Sequence, residues 1–213
     1  MSDAHDGRSS SFGESGDVTV VDRFGVWLSK RQINRVVGSL VDKDVADIGC
    51  GFEADFMRRV LGEVRSATLV DVSLAPDLAE HPKVRAIEGL LPGAMEDIED
   101  QSLDIVLCMS VVEHLWEPDQ TLEHFSRVLR PGGVCAVNVP SWRGKRALEY
   151  SAFRLGLSPA EEMDDHKMYY DPKDLWPLMV KAGFMPHAIK CFKHKFGLNT
   201  FAVATALQET PTP

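Results

Sequence analysis

The chain has 213 residues, 44% of them hydrophobic and 26% charged, which is ordinary globular composition and length enough for one domain with a substantial core. Its net charge of -9 argues against nonspecific nucleic-acid binding, which needs a basic footprint. No apolar run reaches the roughly 18 residues of a membrane span. The start, Met1-Ser2-Asp3-Ala4-His5-Asp6, has no basic segment followed by an apolar core, so no secretory signal is read. Cys50, Cys108, Cys135 and Cys191 lack CxxC spacing and read as reduced thiols of a cytoplasmic protein, neither a disulfide framework nor a zinc site.

In chain order, residues 1–17 carry four acids and one Arg among many Ser and Gly. This predicts a disordered tail over 1–18, then one domain over 19–207 and a short tail at 208–213. Phe24, Trp27, Leu28, Val36, Val37 and Leu40 recur at roughly helical spacing and predict a helix before the first strand. A strand at about 44–48 enters Gly49-Cys50-Gly51, and Phe56, Met57, Val60 and Leu61 give the next helix its apolar face. Strand-like runs follow at about 67–71, 83–88, 103–109 and 133–139. Pro118-Asp119 opens a helix with Leu122, Phe125, Val128 and Leu129 on one side, and Pro131-Gly132-Gly133 stops it. Another helix starts at Asp171-Pro172 and ends near Ala182-Gly183-Phe184; Pro177 is expected to kink or shorten it. Two last runs, about 186–193 and 199–206, flank Gly197 as a candidate hairpin. The alternation predicts an α/β fold with a mainly parallel, helix-covered sheet and an antiparallel edge.

The first strand ends in a tight Gly-x-Gly turn, and Asp71 closes the second strand twenty residues after Gly51. The glycines let the backbone turn and approach a ligand closely, and the carboxylate can accept both ribose hydroxyls. An adenosine-containing cofactor is therefore expected. Gly49-x-Gly51-x-x-Ala54 with Asp71 also satisfies the dinucleotide fingerprint loosely, which keeps an NAD-dependent oxidoreductase in view. Asp47 favours a different ligand: a carboxylate at that strand end suits an ammonium group and would repel a pyrophosphate.

Asp47-Ile48-Gly49-Cys50-Gly51, Leu69-Val70-Asp71-Val72-Ser73, the run Ser102–Leu115 and Leu129-Arg130-Pro131-Gly132-Gly133-Val134 together resemble the class I S-adenosylmethionine-dependent methyltransferases. The resemblance covers about residues 20–207 and implies a Rossmann-like, doubly wound, seven-stranded sheet, mostly parallel, with a reversed C-terminal hairpin strand. It implies S-adenosyl-L-methionine as cofactor. Gly49, Cys50 and Gly51 would pass beneath it, Asp47 would lie near its methionine end, and Asp71 with Val72 would hold the ribose. Gly89 and Leu90 would flank the adenine, and Met109 and Ser110 would line the cofactor from the fourth strand. Two positions depart from the pattern: Glu53 replaces a frequent third glycine, and Leu90 replaces a frequent acid at the adenine. They give some support to a degenerate fold acting as a scaffold, against which the intact Asp47, glycine pair and Asp71 argue.

The acceptor side carries fewer signals. There is no Asn/Asp-Pro-Pro-Tyr/Phe run of the adenine amino-methylating enzymes. No metal is assigned, because no convincing pair of carboxylates for a magnesium ion is seen, although Asp164-Asp165 keeps that open. His166, in Asp164-Asp165-His166-Lys167-Met168-Tyr169-Tyr170, is the first candidate for a general base; by the resemblance its loop closes over the acceptor. His114 follows the fourth strand as a cofactor-side neighbour, and His194 is a weaker candidate. Tyr169 and Tyr170 are candidates for stacking on the acceptor, at least one of them serving packing instead. Basic residues cluster at Arg143–Arg146 and at Lys181, Lys190, Lys193 and Lys195, as either a solvated surface or an attraction for an anionic acceptor; Arg143 and Lys195 are the acceptor candidates. The stretches 166–175 and 195–200 resemble small methyltransferases of bacterial glycan and polysaccharide clusters, which implies a saccharide hydroxyl, phosphorylated or nucleotide-linked, as acceptor.

Overall fold

The structure is a computed structural model that describes Ser11, residues 31–150 and residues 166–207. Of the helix expected from Phe24, positions 24–30 lie outside the described residues, and 31–37 are helical and form α1. Among the described residues the other α-helices are α2 (Asp55–Val60), α3 (Pro76–Ala79), α4 (Pro118–Val128), α5 (Trp142–Tyr150) and α6 (Pro172–Lys181). The strands are β1 (Asp44–Ile48), β2 (Ser66–Asp71), β3 (Val84–Glu88), β4 (Leu103–Met109), β5 (Leu129–Pro140), β6 (Ile189–His194) and β7 (Asn199–Thr205).

They form one sheet of order β3-β2-β1-β4-β5-β7-β6, in which β7 runs antiparallel to both its neighbours and the other strands are parallel. The expected reversed hairpin is present, with β7 inserted between β5 and the edge strand β6. Strand order reverses between β1 and β4. The carboxyl ends of those two strands therefore border a crevice, the usual ligand position in open α/β sheets.

Successive residues of each strand supply opposite faces, and both are buried. One face joins Ala46, Val70, Val106 and Val137 to Leu122, Phe125 and Val128 of α4 and to Leu175 and Met179 of α6. The other joins Val45, Leu69, Leu107 and Phe201 to Ile33 and Val37 of α1 and to Met57 and Leu61 around α2. Among the described residues no helix is long and apolar enough to cross a membrane.

Three local expectations change. Pro177 neither ends nor shortens α6, which runs on to Lys181. The helix gives up the hydrogen bond a proline cannot donate, and burial of Leu175 and Met179 on either side holds it. Pro131-Gly132-Gly133 does stop α4 from continuing, yet β5 already starts at Leu129. The pairing jumps from Leu103–Leu129 to Ile105–Val134, so Pro131 and Gly132 sit in an irregularity within the strand. Short α5, directly after β5, was not anticipated; its Gly144 and clustered cations obscure helical periodicity.

Candidate active site

The loop after β1 is built by backbone geometry. Gly49 and Gly51 have φ of 70° and 77°, in the left-handed region that favours glycine, and the Gly49 N–H donates to Val70 O across to β2 (2.7 Å). A Cβ on Gly49 would stand 2.1 Å from Val111 Cγ2 in the loop that follows β4. Glycine thus lets the loops after β1 and β4 close on each other.

Asp71 terminates β2 at the same edge. The Gly51 N–H donates to its Oδ2 (2.7 Å) and the Val72 N–H to its Oδ1 (2.8 Å), so two main-chain donors fix the carboxylate. Fixed carboxylate oxygens with spare lone pairs suit a pair of vicinal hydroxyls. Ser11, from the stretch read as tail, is itself buried here: its hydroxyl donates to Asp71 Oδ1 (2.5 Å) and accepts from the Ser73 N–H (2.8 Å). An incoming ribose would meet this serine on the same carboxylate. The Gly89 N–H donates to Asp71 O (2.9 Å), which draws the Gly89–Leu90 loop to this edge, where Leu90 is exposed.

Asp47 is only 5% exposed, and burial, with Asp71 adding like charge, pushes its carboxyl up to about 7. The same causes, burial first and then Asp47 and Asp71, push the Cys50 thiol far up, so it is no thiolate nucleophile. Such a pair of acids fits a ligand with a cation at one end and a sugar diol at the other. S-adenosylmethionine has that pattern, and its ammonium would suit Asp47 as its ribose would suit Asp71. On the far side of the crevice Met109 is half-buried and Ser110 exposed at φ 61°, its N–H donating to Asn138 O (2.8 Å).

The acceptor candidates divide. His114, in the turn after β4, and His166 stand with ring centroids 4.8 Å apart. His166 packs edge-on to Tyr169 (5.4 Å) with Nδ1 3.1 Å from the Tyr169 hydroxyl, and Tyr169 lies 5.8 Å from the Trp142 ring. Lys145 stands over both Trp142 and Tyr169 at 5.8 and 5.7 Å. The Lys167 and Met168 N–H groups both donate to Glu113 O (2.7 and 3.2 Å), which ties the His166 loop to the turn carrying His114. Tyr170 belongs to the core beneath; burial first, then Glu113, pushes its phenol up to about 12. Arg143 lies against the Lys195–Gly197 turn, its Nη1 3.5 Å from where a Gly197 Cβ would be, so the two basic candidates share a neighbourhood. His194 packs edge-on to Phe201 (5.6 Å). Asp164 and Asp165 lie outside the described residues. Trp116, Trp142 and Ser11 escaped sequence reasoning as single residues without a motif, and Glu113, although inside the run Ser102–Leu115, was given no role, because these residues are brought in by loops that meet only in three dimensions. Beside them a depression of about 500 Å³ is lined by Trp116, Lys167, Met168, Tyr170 and Lys173 among others.

A family profile described as "Methyltransferase domain" matches residues 46–137, from β1 into β5. A probable S-adenosylmethionine-dependent methyltransferase of Mycolicibacterium smegmatis is 31% identical over 170 residues, covering 74% of this chain and 59% of the relative. A similarly named protein of Mycobacterium tuberculosis is 25% identical, covering 82% of this chain and 62% of the relative. The chain thus spans about 60% of the length of these curated relatives. A ubiquinone biosynthesis O-methyltransferase of Klebsiella pneumoniae is 27% identical over 118 residues, covering 51% of this chain and 47% of that protein. Among solved structures, an S-adenosylmethionine-dependent methyltransferase from Archaeoglobus fulgidus superposes with a TM-score of 0.61 at 14% identity, over 88% of this chain and all of that one, which speaks to the fold. With the sheet order, the glycine turn and the paired Asp47 and Asp71 already in place, these likenesses favour a methyltransferase over the dinucleotide oxidoreductase reading: residues 46–137 match a methyltransferase domain, and the chain is similar to probable S-adenosylmethionine-dependent methyltransferases.

Proposed function

We propose that the protein transfers a methyl group from S-adenosylmethionine to a saccharide hydroxyl, in the cytoplasm, as a step of polysaccharide biosynthesis. The observation that carries an oxygen acceptor is the His114–His166 pair, 4.8 Å apart, brought together from the turn after β4 and the loop before α6. The cofactor supplies an electrophilic methyl on a sulfonium. The chain's own work is to align the acceptor, keep water out and receive a proton. Asp71, Val72, Gly49, Cys50 and Gly51 would hold the adenosyl moiety, with Gly89 and Leu90 near the adenine and Met109 and Ser110 beside the sulfur. His166, positioned by Tyr169, is the group for the acceptor's proton.

Sugar recognition is supported by exposed aromatic faces with cations over them: Trp116 with Lys167 at 5.2 Å, and Trp142 with Lys145. Aromatic faces suit the C–H side of a pyranose, and the lysines suit a phosphorylated one. Four free cysteines support a reducing compartment. A phenolic hydroxyl is the second reading, favoured by the likeness to the ubiquinone O-methyltransferase.

Calorimetric titration with S-adenosylmethionine and S-adenosylhomocysteine, followed by labelled methyl transfer to sugar, sugar-phosphate and phenol acceptors, tests the proposal. Asp71→Ala is expected to weaken cofactor binding about 100-fold, from two lost hydrogen bonds to a charged group. His166→Ala is expected to lower turnover with nearly unchanged S-adenosylhomocysteine affinity. Transfer to phenols alone would replace the acceptor. Unchanged turnover of His166→Ala would remove His166 from the chemistry.

A further inference from the structure

Glu113, His114 and His166 come from two loops 52 residues apart, counting from His114 to His166, and each offers a ligand atom within 4.8 Å of the others. Glu113 is 1% exposed, unusual for a carboxylate, which is seldom buried without charge compensation. Two main-chain hydrogen bonds from Lys167 and Met168 to Glu113 O hold the two loops together, so the juxtaposition follows from backbone structure as well as from side-chain rotamers. The Tyr169 hydroxyl beside His166 Nδ1 (3.1 Å) gives this imidazole the outer partner that metal-ligating histidines regularly have, leaving Nε2 as its ligand atom.

We propose that Glu113, His114 and His166 form a binding site for a divalent first-row transition-metal ion at the acceptor edge of the sheet. Two imidazoles and one carboxylate suit such an ion better than magnesium or calcium, which prefer sets made of oxygen. Three protein ligands leave positions open for an acceptor oxygen or water. Bonds of about 2.1 Å ask for ligand separations of roughly 3 to 3.5 Å, so metal uptake draws the three groups together by up to about 1.3 to 1.8 Å.

The cation's role deepens the methyl-transfer reading and rests on it, whereas its binding does not. An acceptor hydroxyl bound to the ion loses its proton to water more readily. The oxygen's lone pair then forms the bond to the methyl carbon, and the carbon–sulfur bond breaks with its electron pair going to sulfur. His166 would thus act on the acceptor proton through the ion.

The test is titration of the chelator-treated full chain with Co2+, followed by visible absorption and calorimetry, beside titration with S-adenosylhomocysteine. Expected are one equivalent of Co2+ bound and ligand-field bands characteristic of imidazole and carboxylate coordination. Tyr169→Phe is expected to weaken Co2+ binding about 10-fold to 100-fold, the usual loss on removing an outer hydrogen-bond partner. His166→Ala should weaken it at least as far, with S-adenosylhomocysteine affinity retained as proof of an intact fold. Normal S-adenosylhomocysteine binding with no Co2+ uptake, or with the same Co2+ affinity in His166→Ala, would overturn the site. Co2+ uptake lost in the variants but no binding of S-adenosylhomocysteine would keep the site and overturn the methyl-transfer reading instead.

Discussion

Asp47 shows how burial can set the chemistry of one side chain. It lies 5% exposed among apolar strands, and its carboxyl is pushed up to about 7, first by burial and then by Asp71. An acid whose folded pKa is raised binds its proton more tightly in the folded state. Its stabilising contribution is complete below the unfolded value near 4 and is lost as pH rises through about 7. Asp47→Asn is expected to abolish that decline, worth about 4 kcal/mol at its full extent, in urea melts of the ligand-free chain. A cationic ammonium at Asp47 acts in the opposite sense and favours the ionised acid. Binding of S-adenosylmethionine near neutral pH should therefore release protons from the wild type and none from the variant, as measured by calorimetry in buffers of different ionisation enthalpy. Asp71, the other member of the pair, is held by main-chain donors from Gly51 and Val72, so its geometry depends on the glycine turn itself.

At the scale of elements, the proposed acceptor side lies where α5 meets the turn between β6 and β7. The Ser141 hydroxyl donates to Gly197 O (2.7 Å) and accepts from the Gly144 N–H (3.0 Å), while the Ser141 N–H donates to Leu198 O (2.9 Å). A Cβ on Gly144 would come within 2.1 Å of Leu198 O, so the first turn of α5 can rest on the hairpin only through glycine. Gly144→Ala is expected to destabilise the chain by about 1 to 3 kcal/mol, the usual range for overpacking a tight contact, seen as a lower urea midpoint. Because Trp142 and Lys145 flank this contact, acceptor turnover should fall in Gly144→Ala as well, while S-adenosylhomocysteine affinity is retained. A similar economy of contact holds α6 in place. The Asp171 N–H donates to Asp174 Oδ2 (2.9 Å) at its start, and Lys193 of β6 pairs with Asp171 (2.5 Å). Pro177 is tolerated because tertiary burial, more than main-chain hydrogen bonding, stabilises that helix.

Across the whole molecule, charges at the two ends of the sheet act in opposite senses. At the end away from the crevice, Arg65 and Arg130 bridge Asp44 and Asp104, tying β1, β4 and β5 together where they enter the sheet. The Arg65 hydrogen bond chiefly, against the opposing effect of burial and with help from Ser66 and Arg130, holds the Asp44 carboxyl far below its usual range. A depressed acid contributes stability that is complete above its unfolded value near 4 and is lost as pH falls toward the folded one. Asp47 works the other way, so raising the pH from 4 toward 7 keeps the Asp44 contribution while it removes that of Asp47. Asp44→Asn is expected to lower stability at neutral pH and to flatten the acid limb, checked by urea melts from neutral to acid pH.

Much of this was legible in order along the chain. Alternating apolar runs announced a parallel sheet, the turn after β1 announced a ligand, and Asp47 and Asp71 stood at fixed offsets from it, because a βαβ unit closes within some 25 residues. The reversed strand was legible too, since Gly197 separates two strand-like runs too closely for a crossover. What only the tertiary structure decided is the acceptor edge: Glu113 and His114 beside His166, Tyr170 turned into the core while Tyr169 lines the cluster, Ser11 on Asp71, and β5 starting at Leu129. Local motifs survive in sequence because neighbouring residues must satisfy one backbone geometry. A site assembled from separate loops has no such spacing, since the packing of the sheet and its helices, and no rule of the chain itself, sets the distance between its parts.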